Sequence, residues 1–194
     1  MKQLLLLLAI IVLIHPPVAA QTTTLSPVAT LLFRNIKSKL SVAQKNEIAK
    51  NLGFILSGNK AEPFALDKDS KEFPFRAFVY PVDMNKDGKE EIFISFGNTF
   101  TSGHTGSSII LYVPDVAGKY AANLSFPGMT PDMLPTMNKG YNDLLIGGPG
   151  FEFPIWRWNG KEYVYHKTIK ENEYQKLKLT NVAEVSKRYQ DSLK

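Results

Sequence analysis

Two stretches of this chain resemble each other, and their likeness narrows the folds open to it. Residues 83–94 read DMNKDGKEEIFI and residues 136–146 read TMNKGYNDLLI. With one residue dropped after the lysine, Met84-Asn85-Lys86 falls on Met137-Asn138-Lys139 and Gly88 on Gly140. Glu91 then meets Asp143, and Ile92-Phe93-Ile94 meets Leu144-Leu145-Ile146. Downstream, ILYV…GKY (110–120) parallels IWRWNGKEY (155–163). The copies stand 52 or 53 residues apart. A period near 50 carried on short strands points to one supersecondary unit used twice, as in propeller blades and meanders. Two units cannot close a propeller, which takes about 4–8 blades. The expected fold is therefore α+β. It is a mainly antiparallel β meander with two propeller-blade-like units, at 73–124 and 133–169, flanked by N-terminal helices and a C-terminal helix.

The local patterns fit that frame. FPFRAFVYPV (73–82) alternates and is rich in aromatic and β-branched residues, which marks a strand. EIFISF (91–96), SSIILYV (107–113), DLLIG (143–147), FPIWRW (153–158) and EYVYHKTI (162–169) follow, each bounded by Gly, Pro, Asn or Asp. Asn159-Gly160 between two strand patterns predicts a hairpin closed by a type I′ turn, whose positive φ values suit that pair. An N-terminal helical segment is expected over 31–56. Leu32, Ile36 and Leu40 recur at helical spacing, and Ser41 can cap a second helix that stops at Gly53. Residues 21–30 read as a flexible lead-in and 54–72 as a turn-rich connection. Val182, Val185, Ser186 and Tyr189 share one side of a closing helix over 181–192.

The first 20 residues have the layout of a secretory signal peptide. Lys2 is followed by an apolar run, Leu4 to Ile14, then Pro16-Pro17 and Val18-Ala19-Ala20 before a cut at Gln21. The run is short for a membrane span, which needs roughly 20 apolar residues; an uncleaved anchor is the alternative. Cleavage leaves one domain, 21–194, long enough for a core of its own. The chain has no cysteine, so an exported form must hold together without disulfides. These features point to a bacterial envelope, periplasmic or secreted, with no transmembrane segment after cleavage. The 22 basic and 18 acidic residues left after the leader are intermixed along the chain. Nucleic-acid binding calls for a basic stripe, and none is present.

Within 83–91, Asp83, Asn85, Asp87 and Glu91 stand at positions 1, 3, 5 and 9, with Gly88 at position 6. Lys89, at position 7, can offer its backbone carbonyl. Calcium takes about 6–8 hard oxygen ligands, and alternating carboxylate and amide oxygens in a tight loop converge on one point. An EF-hand needs a bidentate glutamate at position 12, where this chain has Ile94. The loop resembles instead the calcium loops of FG-GAP and VCBS-type repeats, whose pattern is roughly D-x-[DN]-x-D-G-x-x-[DE] between strands. The resemblance covers 75–113 well and 133–166 weakly. It implies one structural Ca2+ held by Asp83, Asn85, Asp87, Glu91 and the Lys89 carbonyl. The second copy has Thr136 for the first Asp and no counterpart of Asp87. Asp, Asn and Gly also build metal-free Asx turns, and that alternative stays open at this point.

Other constellations are weaker. His104 lies in GNTFTSGHTGSS (97–108), near Ser102 and Ser107, but without the G-x-S-x-G elbow of a serine hydrolase. Trp156 and Trp158 share one strand face, and Ile155 takes the other. Exposed, the two tryptophans would anchor a protein or stack on a sugar; otherwise they form core. His104, Trp156 and Trp158 are thus the candidate binding surface. Asn123-Leu124-Ser125 is a glycosylation sequon. The function expected is an exported, non-enzymatic binding or scaffold module with one calcium, its partner an unknown protein or glycan. The alternatives are a metal-free envelope interaction or enzyme-inhibitor protein, or, less in keeping with the motifs, a hydrolase.

Overall fold

A computed structural model describes residues 24–148 and 153–193; residues 1–23, and with them the expected signal peptide, lie outside these, as do 149–152 and 194. Ser26 opens the first helix, α1 (Pro27–Leu32), by accepting the amide of Ala29, with Pro27 at a position where its missing N–H costs nothing. The flexible lead-in expected over 21–30 therefore ends in a capped helix. The helix expected over 31–40 does not form. Asn35 takes a left-handed φ of 62°, and residues 36–40 beyond it form no helix or strand. The buried carboxylate of Glu90 accepts the Lys39 amide at 2.8 Å and the Ser38 hydroxyl, which an α-helix through these residues would not allow. Ile36 and Leu40 still reach the core. α2 (Val42–Leu52) has a reciprocal Ser41/Gln44 capping box and a left-handed Gly53 as its stop. The 54–72 connection holds a small hairpin, β1 (Ile55–Leu56) with β2 (Phe64–Ala65).

Beyond it run two antiparallel sheets. β3 (Ala77–Val82), β4 (Glu91–Phe96), β5 (Ser108–Pro114) and β6 (Tyr120–Pro127) form a four-stranded meander in chain order. α3 (Thr99–Ser102) and a 3-10 turn, Gly103–Thr105, interrupt it between β4 and β5. β7 (Asp132–Asn138), β8 (Tyr141–Leu145), β9 (Phe153–Trp158) and β10 (Tyr163–Ile169) form a second meander, again in chain order. After α4 (Glu171–Tyr174), β11 (Thr180–Asn181) returns to pair with β7, and α5 (Val182–Ser192) closes the described chain. Neither sheet closes on itself. Among the described residues no helix is long and apolar enough to cross a membrane.

The layers follow from which side chains each sheet buries. Val79, Ile92, Ile94 and Tyr112 of the first sheet pack under α1 and α2 with Phe54, Phe64 and Phe75. Its other face, with Phe93, Ile109 and Leu111, meets Met133, Leu144, Trp158 and Tyr163 of the second sheet. The far side of the second sheet, with Leu134, Leu145 and Ile155, is covered by Tyr174, Leu177 and Leu179. β4 lies between two cores and is buried almost throughout, so its sequence reads as a nearly continuous apolar run.

One turn differs from expectation. The hairpin at Asn159-Gly160 is present, but its connection spans 159–162 and only Gly160 has a positive φ, 110°. Asn159 instead accepts the amides of Lys161 and Glu162 on its side chain, an Asx turn in place of type I′. The second copy of the polar loop is a tight hairpin between β7 and β8, turning on Lys139 (φ 47°) and Gly140 (φ 88°).

Candidate functional site

The first copy spans the gap between β3 and β4 at one end of the inter-sheet core. Met84 inserts its side chain into that core, and Lys86 (φ 60°) and Gly88 (φ 86°) fold the chain back over it. The polar side chains then close on the backbone. Asp83 Oδ2 accepts the Gly88 amide at 3.0 Å, Asn85 Oδ1 accepts that of Asp87 at 3.0 Å, and Asp87 Oδ1 accepts that of Lys89 at 2.8 Å. Asn85 Nδ2 donates to Asp87 Oδ2 at 3.1 Å and to the Tyr141 hydroxyl at 3.0 Å. Tyr141 in turn donates to Glu91 Oε1 at 3.0 Å, and the Met84 amide donates to Glu91 Oε2 at 2.8 Å. Asn85, Asp87 and Glu91 thus join one network, which Tyr141 ties to the second sheet, while Asp83 closes on the same loop through the Gly88 amide.

The network carries negative charge that no cation among the described residues pairs with. The Lys89 ammonium turns away to the carbonyls of Asp115 and Val116, at 3.1 Å each. Among the described residues, neither of the two ion pairs involves Asp83, Asp87 or Glu91. Glu91 is 0% exposed. Burial pushes its pKa up to about 7 against the bonds from Met84 and Tyr141, and the charges of Asp87 and Asp83 push the same way. Asp83 Oδ1 is buried without a hydrogen-bond partner.

The aligned acid of the second copy is treated differently. Asp143, 1% exposed, receives Arg157 Nε at 2.9 Å, an Arg157 terminal nitrogen at 2.6 Å and the Thr136 hydroxyl at 2.6 Å. Burial pushes its pKa up, but the bonds from Arg157 and Thr136 and the guanidinium charge outweigh it and hold the carboxyl below its ordinary value. One copy therefore has its own cation; the other does not.

Among the described residues no group of three or more His, Cys, Asp or Glu side chains is gathered to hold a metal ion. The three acids of the 83–91 loop, Asp83, Asp87 and Glu91, are therefore not drawn around one point in this structure. The candidate donors there are all oxygens, the kind a hard cation takes, and Asp83 Oδ1 is buried with no hydrogen-bond partner.

The remaining candidates lie elsewhere. His104 is exposed on the 3-10 turn after α3. Ser102 is buried, with its hydroxyl 2.8 Å from that of Ser108, and the Ser107 hydroxyl donates to the Gly128 carbonyl. Both serines are thus engaged in holding the loop. Trp158 is 7% exposed and stacks on Tyr141 with ring centroids 4.4 Å apart, so it is a core residue and not part of a surface. Trp156 is half-buried against Phe126. Asn123 of the sequon has its side chain bound to the Lys161 carbonyl and the Tyr163 amide. Tyr141 is the site residue that the sequence did not reveal. It follows Gly140 in the weaker copy, and nothing in its spacing to Asn85 marks the contact. Compared with protein-family models, curated proteins and solved structures, the chain matches none.

Proposed function

We propose that this protein is an exported, non-enzymatic binding or scaffold module. In this reading its two meanders are propeller-blade-like units, and the 83–91 loop holds one calcium ion. Asp83, Asn85, Asp87, Glu91 and the Lys89 carbonyl would supply the oxygens. Bound there, the ion offsets the carboxylate charge, and the chain's part is to hold the oxygens in place. Met84 anchors the loop in the core, and Tyr141 carries its position to the second sheet. The observation that supports this most is Asp83 Oδ1, buried and unpartnered beside an acid whose aligned counterpart has Arg157 as its partner. A protein or a glycan is the partner class, met by the loops that this rigid frame presents.

The test is a calorimetric calcium titration of the purified protein, with thermal unfolding in calcium and in chelator. The expected result is one ion per chain and a higher melting temperature in calcium, both lost in Asp87→Ala. A flat titration and identical melting curves would overturn the ion. One observation favours that second, metal-free reading. Asp83 Oδ2, Asn85 Oδ1 and Asp87 Oδ1 already accept backbone amides, so the loop holds a turn unaided.

A further inference from the structure

A groove opens along the outer edge of the first sheet. β3 pairs only with β4, and no other backbone hydrogen bond from a described residue reaches 77–82. An edge strand turns alternate N–H and C=O groups away from its partner. Here four successive residues, Ala77 to Tyr80, line a cleft of about 350 Å³ between α1 and α5. Side chains alternate between the two faces of a strand, so four in a row mean that the strand's edge itself lines the cleft. A second cleft of about 360 Å³ continues past Leu31 and Arg34 to Leu56, Lys60 and Pro63. The walls are apolar where Phe78 (51% exposed) and Leu56 (37%) stand. The charges are one-sided. Arg34, Lys60 and Lys187 line the two clefts, and the lone acid, Asp191, is held by Lys187 at 2.6 Å. Arg34 and Lys60 make no ion pair among the described residues.

We propose that this groove takes an extended segment of a partner polypeptide as an added strand on β3. The segment carries apolar side chains at alternate positions, over Phe78 and Leu56, and an acidic side chain set against Arg34 or Lys60. Backbone pairing supplies the attraction common to any strand, and the apolar pockets and the basic rim select among them. Arg34 sits where the two clefts join and can hold a carboxylate with two parallel bonds. The surface is separate from the 83–91 loop, and the proposal stands whether or not that loop takes calcium.

The test is residue-resolved NMR on the purified protein, in calcium and in chelator. In the free protein, amide hydrogens at alternate positions of 77–80 exchange fast. A hexapeptide alternating valine and aspartate then shifts these amide signals saturably and slows their exchange by about tenfold or more. A valine–lysine peptide of equal length does neither. Arg34→Glu, an exposed change that leaves the core intact, weakens the acidic peptide by about fivefold or more. Amides already protected throughout 77–80 in the free protein would overturn the proposal, as would equal binding of the lysine peptide. So would shifts confined to other surfaces, or none at all. Signals at 77–80 that move with protein concentration alone would give the edge to a second copy of this chain instead.

Discussion

Glu91 shows how one side chain can report on the loop around it. In the folded chain its pKa is raised to about 7, whereas an unfolded glutamate titrates near 4.3. Between these values the folded state holds the extra proton. Without metal, stability is therefore greatest below the unfolded value and falls as pH rises through 7. The titratable groups that act on Glu91 are Asp83 and Asp87 on its own loop and Tyr141 from β8, with Tyr120 and Tyr163 also close by, so among the described residues no neighbouring base reverses the sign. Glu91→Gln keeps the shape and removes the charge. In chelator it should flatten the dependence of melting temperature on pH between 5 and 8 and stabilise the protein at pH 8 by about 1–3 kcal/mol. Unchanged profiles in wild type and variant would mean that Glu91 stays ionised at no cost. At this scale the sequence was informative only along the chain. The spacing of Asp83, Asn85, Asp87 and Glu91 is visible in one short stretch. Tyr141, which binds both Asn85 and Glu91, lies 56 residues from Asn85, and only tertiary packing brings it there.

Among the elements, those with both a periodic pattern and a stop signal were legible. α2 has Ser41 and Gly53 at its ends, and β9 matches its alternating run residue for residue. β7 was hidden by Pro135, which a central strand excludes. It is tolerated because β11 covers only Asp132 and Met133, leaving the rest of β7 at an edge. The helix over 31–40 failed for the opposite reason. Its apolar spacing was helical, but Glu90 holds residues 38–39 from a distance. α3 is an element of four residues held by one side chain. Asn98 Oδ1 accepts the amides of Phe100 and Thr101, while Nδ2 donates to the carbonyls of Phe73 and Pro74. Asn98→Ala removes the cap and this tether together and should cost about 1–2 kcal/mol in denaturant unfolding. A cost near zero would mean that the stacked rings of Phe73 and Phe100, 3.8 Å between centroids, hold the turn without it.

For the whole molecule, the sheets stand or fall together because they share one core. Trp158 lies in it with Met84 of the first copy and Tyr141 and Tyr163 of the second. Trp158→Ala should cost about 3–5 kcal/mol and move a single unfolding transition, seen alike by aromatic and backbone circular dichroism. Two separated transitions would show that the sheets unfold independently. The antiparallel strands were legible in the sequence; which core each residue of β4 faces was not, since its apolar residues serve two cores at once. The closing elements set an order in time. Each meander pairs strands that follow one another in the chain, so both can form as soon as their residues are available. β11 and α5 reach back, β11 to Asp132 and Met133, and α5 to the inter-sheet side of β3. A chain folding from its N-terminal side therefore has two preformed sheets and an unsealed seam until residues 180–192 dock, and for that interval chaperones and proteases meet a different surface from the one they meet afterwards.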